Sequence, residues 1–405
     1  MLNESYLFVI KIRLVVVKIS MLRKICVISG SRADYGLLRF VLQEIEKNSE
    51  LDLQIIATGM HLSETYGWTY REIEEDGYVI NHKVKCLTSS DSALDISEAV
   101  AKCIQGCSKA LDDLKPDIVL VLGDRFEIFS AAIASLIGGV PIAHIHGGET
   151  TLGSYDESFR HAITKMSSIH FVTTKEYQNR VIQLGENPKN VYLVGGLGVD
   201  VIKKSDLFNK SQIEEIFGFT FNQKSLLITF HPETLSEDSS FLQMNELILA
   251  LAELEDTTLI FTSPNADSGN LAIIELINNF ALLNPNVHFF KSLGQRLYLS
   301  CMSIVDGVIG NSSSGITETP SFKVGTINIG KRQHGRIQAN NIINCDAKLV
   351  DIRRALEKLF SSDFCSTLLT CESPYGDGGA SQKISNILSS ASLIGIKVKL
   401  FYDIN

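Results

Sequence analysis

The sequence has no basic stripe, no paired-cysteine motif and no long uninterrupted apolar run, and each absence removes a class of function. Acidic residues outnumber basic ones, 46 against 37, for a formal net charge of −9 over 405 residues. Neutralising a phosphate backbone takes clustered Lys and Arg, so a general nucleic-acid surface is excluded. Eight cysteines are scattered through the chain, and none forms C-x-x-C or joins His at zinc spacing. This pattern points to a reducing, cytoplasmic compartment and to no metal centre. Cys103 and Cys107, four apart on an expected helix, read as small buried residues rather than ligands. G-x-G-x-x-G and G-x-x-x-x-G-K-[ST] are both missing, which excludes the dinucleotide fingerprint and the Walker loop, and no cofactor is expected. With only 8 prolines and no low-complexity tract, the composition is that of a globular protein, long enough for two domains. The apolar start, residues 1–20, is interrupted by Lys11, Arg13 and Lys18. It falls short of the ~20 apolar residues of a membrane span and carries no cleavage site. It reads as a poorly ordered, dispensable extension ahead of Met21, with a membrane anchor as the alternative.

What is present concentrates between Val119 and Lys165. Ile118–Leu122 and Pro141–Ile145 are continuous apolar runs rich in β-branched residues, the pattern of strands buried on both faces of a parallel sheet, with Glu127–Ile137 as their crossover helix. Ligands of such sheets sit beyond the carboxyl ends of the strands. Asp124 follows the first strand, and His144, His146 and Glu149 close the second, so four ionisable side chains are expected on one rim.

Strands at Lys24–Ile28, Leu53–Thr58, Ile169–Thr173 and Val191–Val194 alternate with helices at Leu37–Lys47, Glu64–Glu75, Leu94–Leu114 and Glu176–Leu184. After Gly195-Gly196-Leu197-Gly198 a second series begins, with strands at Leu226–Phe230, Thr258–Thr262, Val287–Phe290, Gly307–Ile309 and Thr326–Ile329. Alternation in both halves predicts an α/β protein of two Rossmann-like parallel-sheet domains facing a cleft. The expected boundaries are 21–197 and 198–378, with 379–405 packing back across the hinge.

Several candidates also have plain structural readings. Asp124 with Glu127 matches a helix capping box, and Asp156 suits the N-cap of a helix over Glu157–Lys165. Gly310-Asn311-Ser312-Ser313-Ser314-Gly315 follows a strand and opens a helix. Its small residues, hydroxyls and free N–H groups suit a pyrophosphate, or equally an ordinary cap and turn. Glu318 is placed for a ribose diol or for solvent, and Gly330–Arg336 is the densest basic loop. His231 ends the first strand of the second domain and so faces the same cleft; a lone His is usually a satisfied structural one. A cleft seldom gathers this many titratable groups unused.

Taken in order, GSRADYG at 30–36, GDRFE at 123–127, HIHGGE at 144–149, DESFRHAITK at 156–165, FHPET at 230–234 and GNSSSGITE at 310–318 resemble the UDP-N-acetylglucosamine 2-epimerase family, from about Met21 to about Asn341. Gly123-Asp124-Arg125 and Gly147-Gly148-Glu149 are similar to the hydrolysing branch, which makes N-acetylmannosamine and UDP for sialic acid synthesis. The resemblance implies the glycosyltransferase type B fold, a UDP-sugar substrate, and a homodimer or homotetramer that binds neither nucleic acid nor membrane. It implies catalytic roles for Asp124, Asp156 and His231. Where several relatives carry a catalytic Glu this chain has His146, so either His146 or Glu149 takes that role, with Glu149 favoured. Arg32, Arg125, Gly310, Ser312, Ser313, Glu318 and Arg332 match substrate-binding positions. A diacetamido-trideoxy hexose on UDP is the alternative substrate, and a glycosyltransferase or a UDP-sugar-binding protein of the same fold is the alternative function.

Overall fold

A computed structural model describes residues 22–88, 92–150, 156–232, 240–264 and 270–404. The expectations for residues 1–20 lie outside them. Seven strands, β1 (Arg23–Ser29), β2 (Leu51–Thr58), β3 (His82–Val84), β4 (Ile118–Leu122), β5 (Ile142–Ile145), β6 (Ile169–Val172) and β7 (Val191–Leu193), form one sheet in the order β3-β2-β1-β4-β5-β6-β7. Six more, β8 (Lys224–Thr229), β9 (Thr257–Thr262), β10 (Val287–Phe290), β11 (Gly307–Gly310), β12 (Gly325–Ile329) and β13 (Ile342–Cys345), form a second sheet in the order β10-β9-β8-β11-β12-β13. The pairings are parallel, for example Val121 with His144 and Gly310 with Thr229. The central strands are buried along their whole length, as their unbroken apolar runs require.

Helices cover both faces of each sheet. Helix Ala380–Ser390 buries Ile384 and Leu388 and packs on helix Arg32–Lys47 of the first domain. Its first turn is capped by Asp200, which accepts from Ala380 N at 3.1 Å and Ser381 N at 2.7 Å. The chain after it is tied down by Lys399, which reaches Glu186 at 2.8 Å. No helix among the described residues is long and apolar enough to cross a membrane.

The local readings need three corrections. The first helix runs Arg32–Lys47 rather than from Leu37, because Ser31 caps it by accepting from Asp34 N. That change brings Arg32 and Asp34 out of a loop and onto a first turn. The expected helix Glu64–Glu75 shrinks to Tyr70–Glu75, since Gly67 and Trp68 adopt positive φ and break it. The Asp124–Glu127 capping box does not form: Arg125 is the N-cap residue of helix Phe126–Ile137, and both carboxylates are engaged elsewhere.

Candidate active site

The first turns of helix Arg32–Lys47 and the loops after β4 and β5 meet the segment after β11 across a cavity of about 240 Å³. Asp124, His146, Glu149, Asp34 and Arg160 line it from the first domain, and Ser313, Glu318 and Arg336 from the second. Asp124, His146 and Glu149 thus stand on one rim as expected, but His144 does not join them. It is fully buried in β5, with Nε2 2.8 Å from Gly123 O and Nδ1 3.2 Å from Thr164 Oγ1. Burial pushes it down to about 3, so it is a neutral residue of the core.

Arg160, which motif reading passed over, organises the rim. Buried in helix Asp156–Met166, it pairs with Asp124 through Nη2 and donates from Nη1 to His146 O at 3.0 Å. The second bond holds a strained residue, for His146 has φ 69°, in the left-handed region. Such strain in a residue with a Cβ costs about 1–2 kcal/mol and collects at functional sites. Two residues on, Gly148 (φ 78°) lets the turn pass Tyr177 O, which a Cβ would meet at 2.6 Å. Arg180 fastens the turn by donating to Gly148 O at 2.6 Å and Thr150 Oγ1 at 2.8 Å.

His146 Nδ1 lies 3.7 Å from Glu149 Oε1, and the Thr173 hydroxyl donates to the same oxygen at 3.1 Å. Burial would raise the Glu149 carboxyl, but His146, Arg160, Arg336 and the Thr173 hydroxyl together hold it below the usual carboxylate range. Burial lowers His146, with Glu149 pulling against it. The buried Nε2 of His146 has no hydrogen-bond partner among the described residues. A neutral imidazole held this way can accept a proton.

The opposite wall carries the hydroxyls of Ser313 and Thr317 with Glu318 and Arg336, and a buried amide holds its turn. Gly310 (φ 136°) ends β11 so close to β8 that a Cβ would meet Thr229 O at 1.9 Å, so its role is backbone approach. Ser312 Oγ lies 3.0 Å from Ser314 Oγ, which lies 2.7 Å from the Tyr298 hydroxyl. Burial raises Glu318 to about 7. Asn311, which stood in the Gly310–Gly315 motif without a role of its own, binds His231 twice: Oδ1 accepts from His231 N at 2.7 Å and Nδ2 donates to His231 O at 2.9 Å. Its own carbonyl accepts from Arg332 Nη1 at 3.1 Å and Gln333 Nε2 at 2.8 Å. Burial, with the Arg332 charge beside it, pushes His231 down to about 3.

Some expected residues fall outside the cavity lining. Arg32, 3.0 Å from Glu72, and Arg125, 3.3 Å from Glu127, line a larger adjoining cleft of about 1480 Å³. Arg125 therefore turns away from Asp124, towards Glu127 and Met60. Asp156 opens its helix and acts electrostatically on Arg125 and Glu127. From the basic loop it is Arg336 that reaches the cavity.

Two facing parallel-sheet domains with an acid/base rim on one and a hydroxyl-lined turn on the other define a nucleotide-sugar enzyme of the glycosyltransferase type B fold. The chain belongs to the UDP-N-acetylglucosamine 2-epimerase family, whose pattern matches residues 43–389. It is 42% identical to the GDP/UDP-N,N'-diacetylbacillosamine 2-epimerase (hydrolyzing) of Campylobacter jejuni, over 84% of this chain and 88% of that one. It is 38% identical to the polysialic acid biosynthesis protein P7 of Escherichia coli, over 87% and 90%. Identity to the UDP-N,N'-diacetylbacillosamine 2-epimerase (hydrolyzing) of Legionella pneumophila is 34%, over 92% and 97%. Within the family the chain thus groups with the hydrolysing branch. The fold matches the crystal structure of UDP-GlcNAc 2-epimerase from Neisseria meningitidis bound to UDP-GlcNAc, with a TM-score of 0.71 at 19% identity over 90% of this chain and 99% of that one.

Proposed function

We propose that this UDP-sugar 2-epimerase hydrolyses UDP-N,N'-diacetylbacillosamine, releasing UDP and the 2-epimeric free sugar. The observation that carries the reading is the cavity between the domains, where Asp124, His146, Glu149 and Glu318 face one another with Arg160 and Arg336 beside them. The proton on carbon 2 of a hexosamine is not acidic by itself. It becomes removable as the bond from carbon 1 to UDP breaks, so elimination needs a base and a stabilised pyrophosphate together. The electrons of the C2–H bond form a C1=C2 double bond and those of the C1–O bond leave with UDP. Hydration of that glycal then places a proton on carbon 2 from the other face and the oxygen of water on carbon 1.

In this reading His146 acts at carbon 2 with Glu149 orienting its ring, and Asp124, held by Arg160, serves the return of the proton. Asp156 and His231 complete the acid/base set. Ser312, Ser313, Arg332 and the turn at Gly310 hold the pyrophosphate, Glu318 the ribose, and Arg32 and Arg125 the approach to the site. Sequence motifs alone put UDP-N-acetylglucosamine first. The two relatives named for diacetylbacillosamine shift the preference, while the relative named for polysialic acid keeps N-acetylglucosamine as the second reading. Incubation with each UDP-sugar and no acceptor tests it. The diacetamido sugar is expected to be turned over with a kcat/KM at least tenfold higher. Faster release from UDP-N-acetylglucosamine would transfer the assignment to that sugar, and no UDP release from either would leave a transferase or a binding protein.

A further inference from the structure

Asp34 belongs to the cavity lining but to none of the roles above. It sits in the first turn of helix Arg32–Lys47, buried, and its Oδ2 accepts from Gly30 N at 3.3 Å. Two features of its placement matter. In the sheet β1 and β5 flank β4, so the helix turn carrying Asp34, just after β1, and the loop carrying His146 and Glu149, just after β5, stand on opposite sides of Asp124. Asp34 also lies in the wall between two voids. It faces the small cavity, while its chain neighbours Ser31, Arg32, Ala33 and Gly36, together with Arg125 and Glu127, line the open cleft of about 1480 Å³. The hydration half of the reaction needs water brought in and deprotonated at carbon 1, away from the groups that handle carbon 2.

We propose that Asp34 is the catalytic base that takes the proton of this water, an assignment that rests on the elimination and hydration reading above. As the C1=C2 electron pair takes up a proton at carbon 2, the water oxygen bonds to carbon 1 and its proton passes to the Asp34 carboxylate; no oxidant or further reactant is needed. The surroundings suit a base working near neutrality. Burial raises the Asp34 carboxyl, Glu127 adds to this and Arg125 opposes it, leaving it at about 6. Across the cavity it meets Asp124, His146, Glu149 and Arg160 of its own domain and Glu318 and Arg336 of the other.

The test is the product balance of Asp34→Asn, with UDP and sugar products measured separately for UDP-N,N'-diacetylbacillosamine and UDP-N-acetylglucosamine. Asn keeps an oxygen for the bond from Gly30. The variant should still release UDP within about tenfold of the wild-type rate, but formation of the hydrated sugar should fall roughly 100-fold. The unhydrated glycal should accumulate in its place. Added formate should restore hydration to Asp34→Ala, which a merely structural role would not allow. In the wild type the glycal share should grow as pH falls through about 6, and in Asp34→Asn that dependence should vanish. One hydrated sugar per UDP from Asp34→Asn would overturn the proposal, as would loss of UDP release together with hydration. A wild type that releases no UDP from either sugar would instead defeat the underlying reading.

Discussion

The two walls of the cleft solve different problems with different chemistry. On the first-domain wall ionised groups interlock: Arg160 joins Asp124 to the strained backbone of His146, and Glu149 is held by His146 and Thr173. On the second-domain wall the chain presents hydroxyls, the Arg336 side chain and a Glu318 carboxyl that burial raises to about 7, while the buried Asn311 amide is spent on the His231 backbone. A wall of coupled charges suits moving protons, because each group's proton affinity is set by its neighbours. A wall of hydroxyls with Arg332 and Arg336 beside them suits holding an anion that must later leave. Substitutions on the first wall should therefore disturb turnover and fold together, whereas those on the second should disturb binding alone.

The sharpest break of this contrast is Arg160→Met. Removing one partner of a buried ion pair typically destabilises by about 3–5 kcal/mol. The turn at His146 loses its anchor as well, so turnover should fall roughly 100-fold or more, the scale of acid/base catalysis. Thermal unfolding and steady-state kinetics check both. A variant of wild-type stability and rate would show that the charges of this wall are not coupled.

A buried carboxylate of the same domain, remote from the chemistry, provides the control. Burial would raise Glu186, but hydrogen bonds from His170, Lys165 and Lys399 outweigh it and hold it at about 2. Its folded value lies below its unfolded one, so the stabilisation is complete above about 4.5 and disappears as pH falls towards about 2. Glu186→Gln should lose roughly 1–3 kcal/mol at neutral pH, the scale of charged hydrogen bonds discounted for solvent screening, and should lose less stability than the wild type across that acid window. Denaturant melts at pH 7 and pH 3 measure this, and turnover per folded molecule should stay within a few-fold of wild type.

On the second wall, Arg332→Ala should leave the melting temperature nearly unchanged. UDP affinity should drop tenfold or more, the loss of a charge-assisted hydrogen bond of roughly 1.5–3 kcal/mol. Calorimetry that finds UDP binding unaltered would remove Arg332 from the pyrophosphate site.

The contrast also explains what the sequence could and could not tell. The parallel sheets were legible because strands such as Ile118–Leu122 are apolar on both faces, and the rim was legible because Asp124 and His146 follow such strands directly. His144 was misread because an apolar run with one imidazole looks the same whether that ring faces a ligand or, as here, Gly123 O and Thr164. Arg160 was missed because its partner Asp124 lies 36 residues away and nothing local announces the pair. Asp124 and Glu127 matched a capping box by spacing, yet the buried Glu127 pairs with Arg125, and Asp124 answers to Arg160. Asp34 and Arg336 stood in motifs already singled out, but only the fold shows that they face the cavity while Arg32 and Arg125 face the larger cleft.

The most direct test of the account is the isotopic content of carbon 2. The protein is incubated in deuterated water with UDP-N,N'-diacetylbacillosamine and no acceptor, and the products are read by proton NMR. Elimination followed by hydration predicts one UDP per free sugar, inversion at carbon 2 and deuterium on that carbon in every product molecule. A sugar released with its original hydrogen at carbon 2, or with its configuration unchanged, would contradict the account.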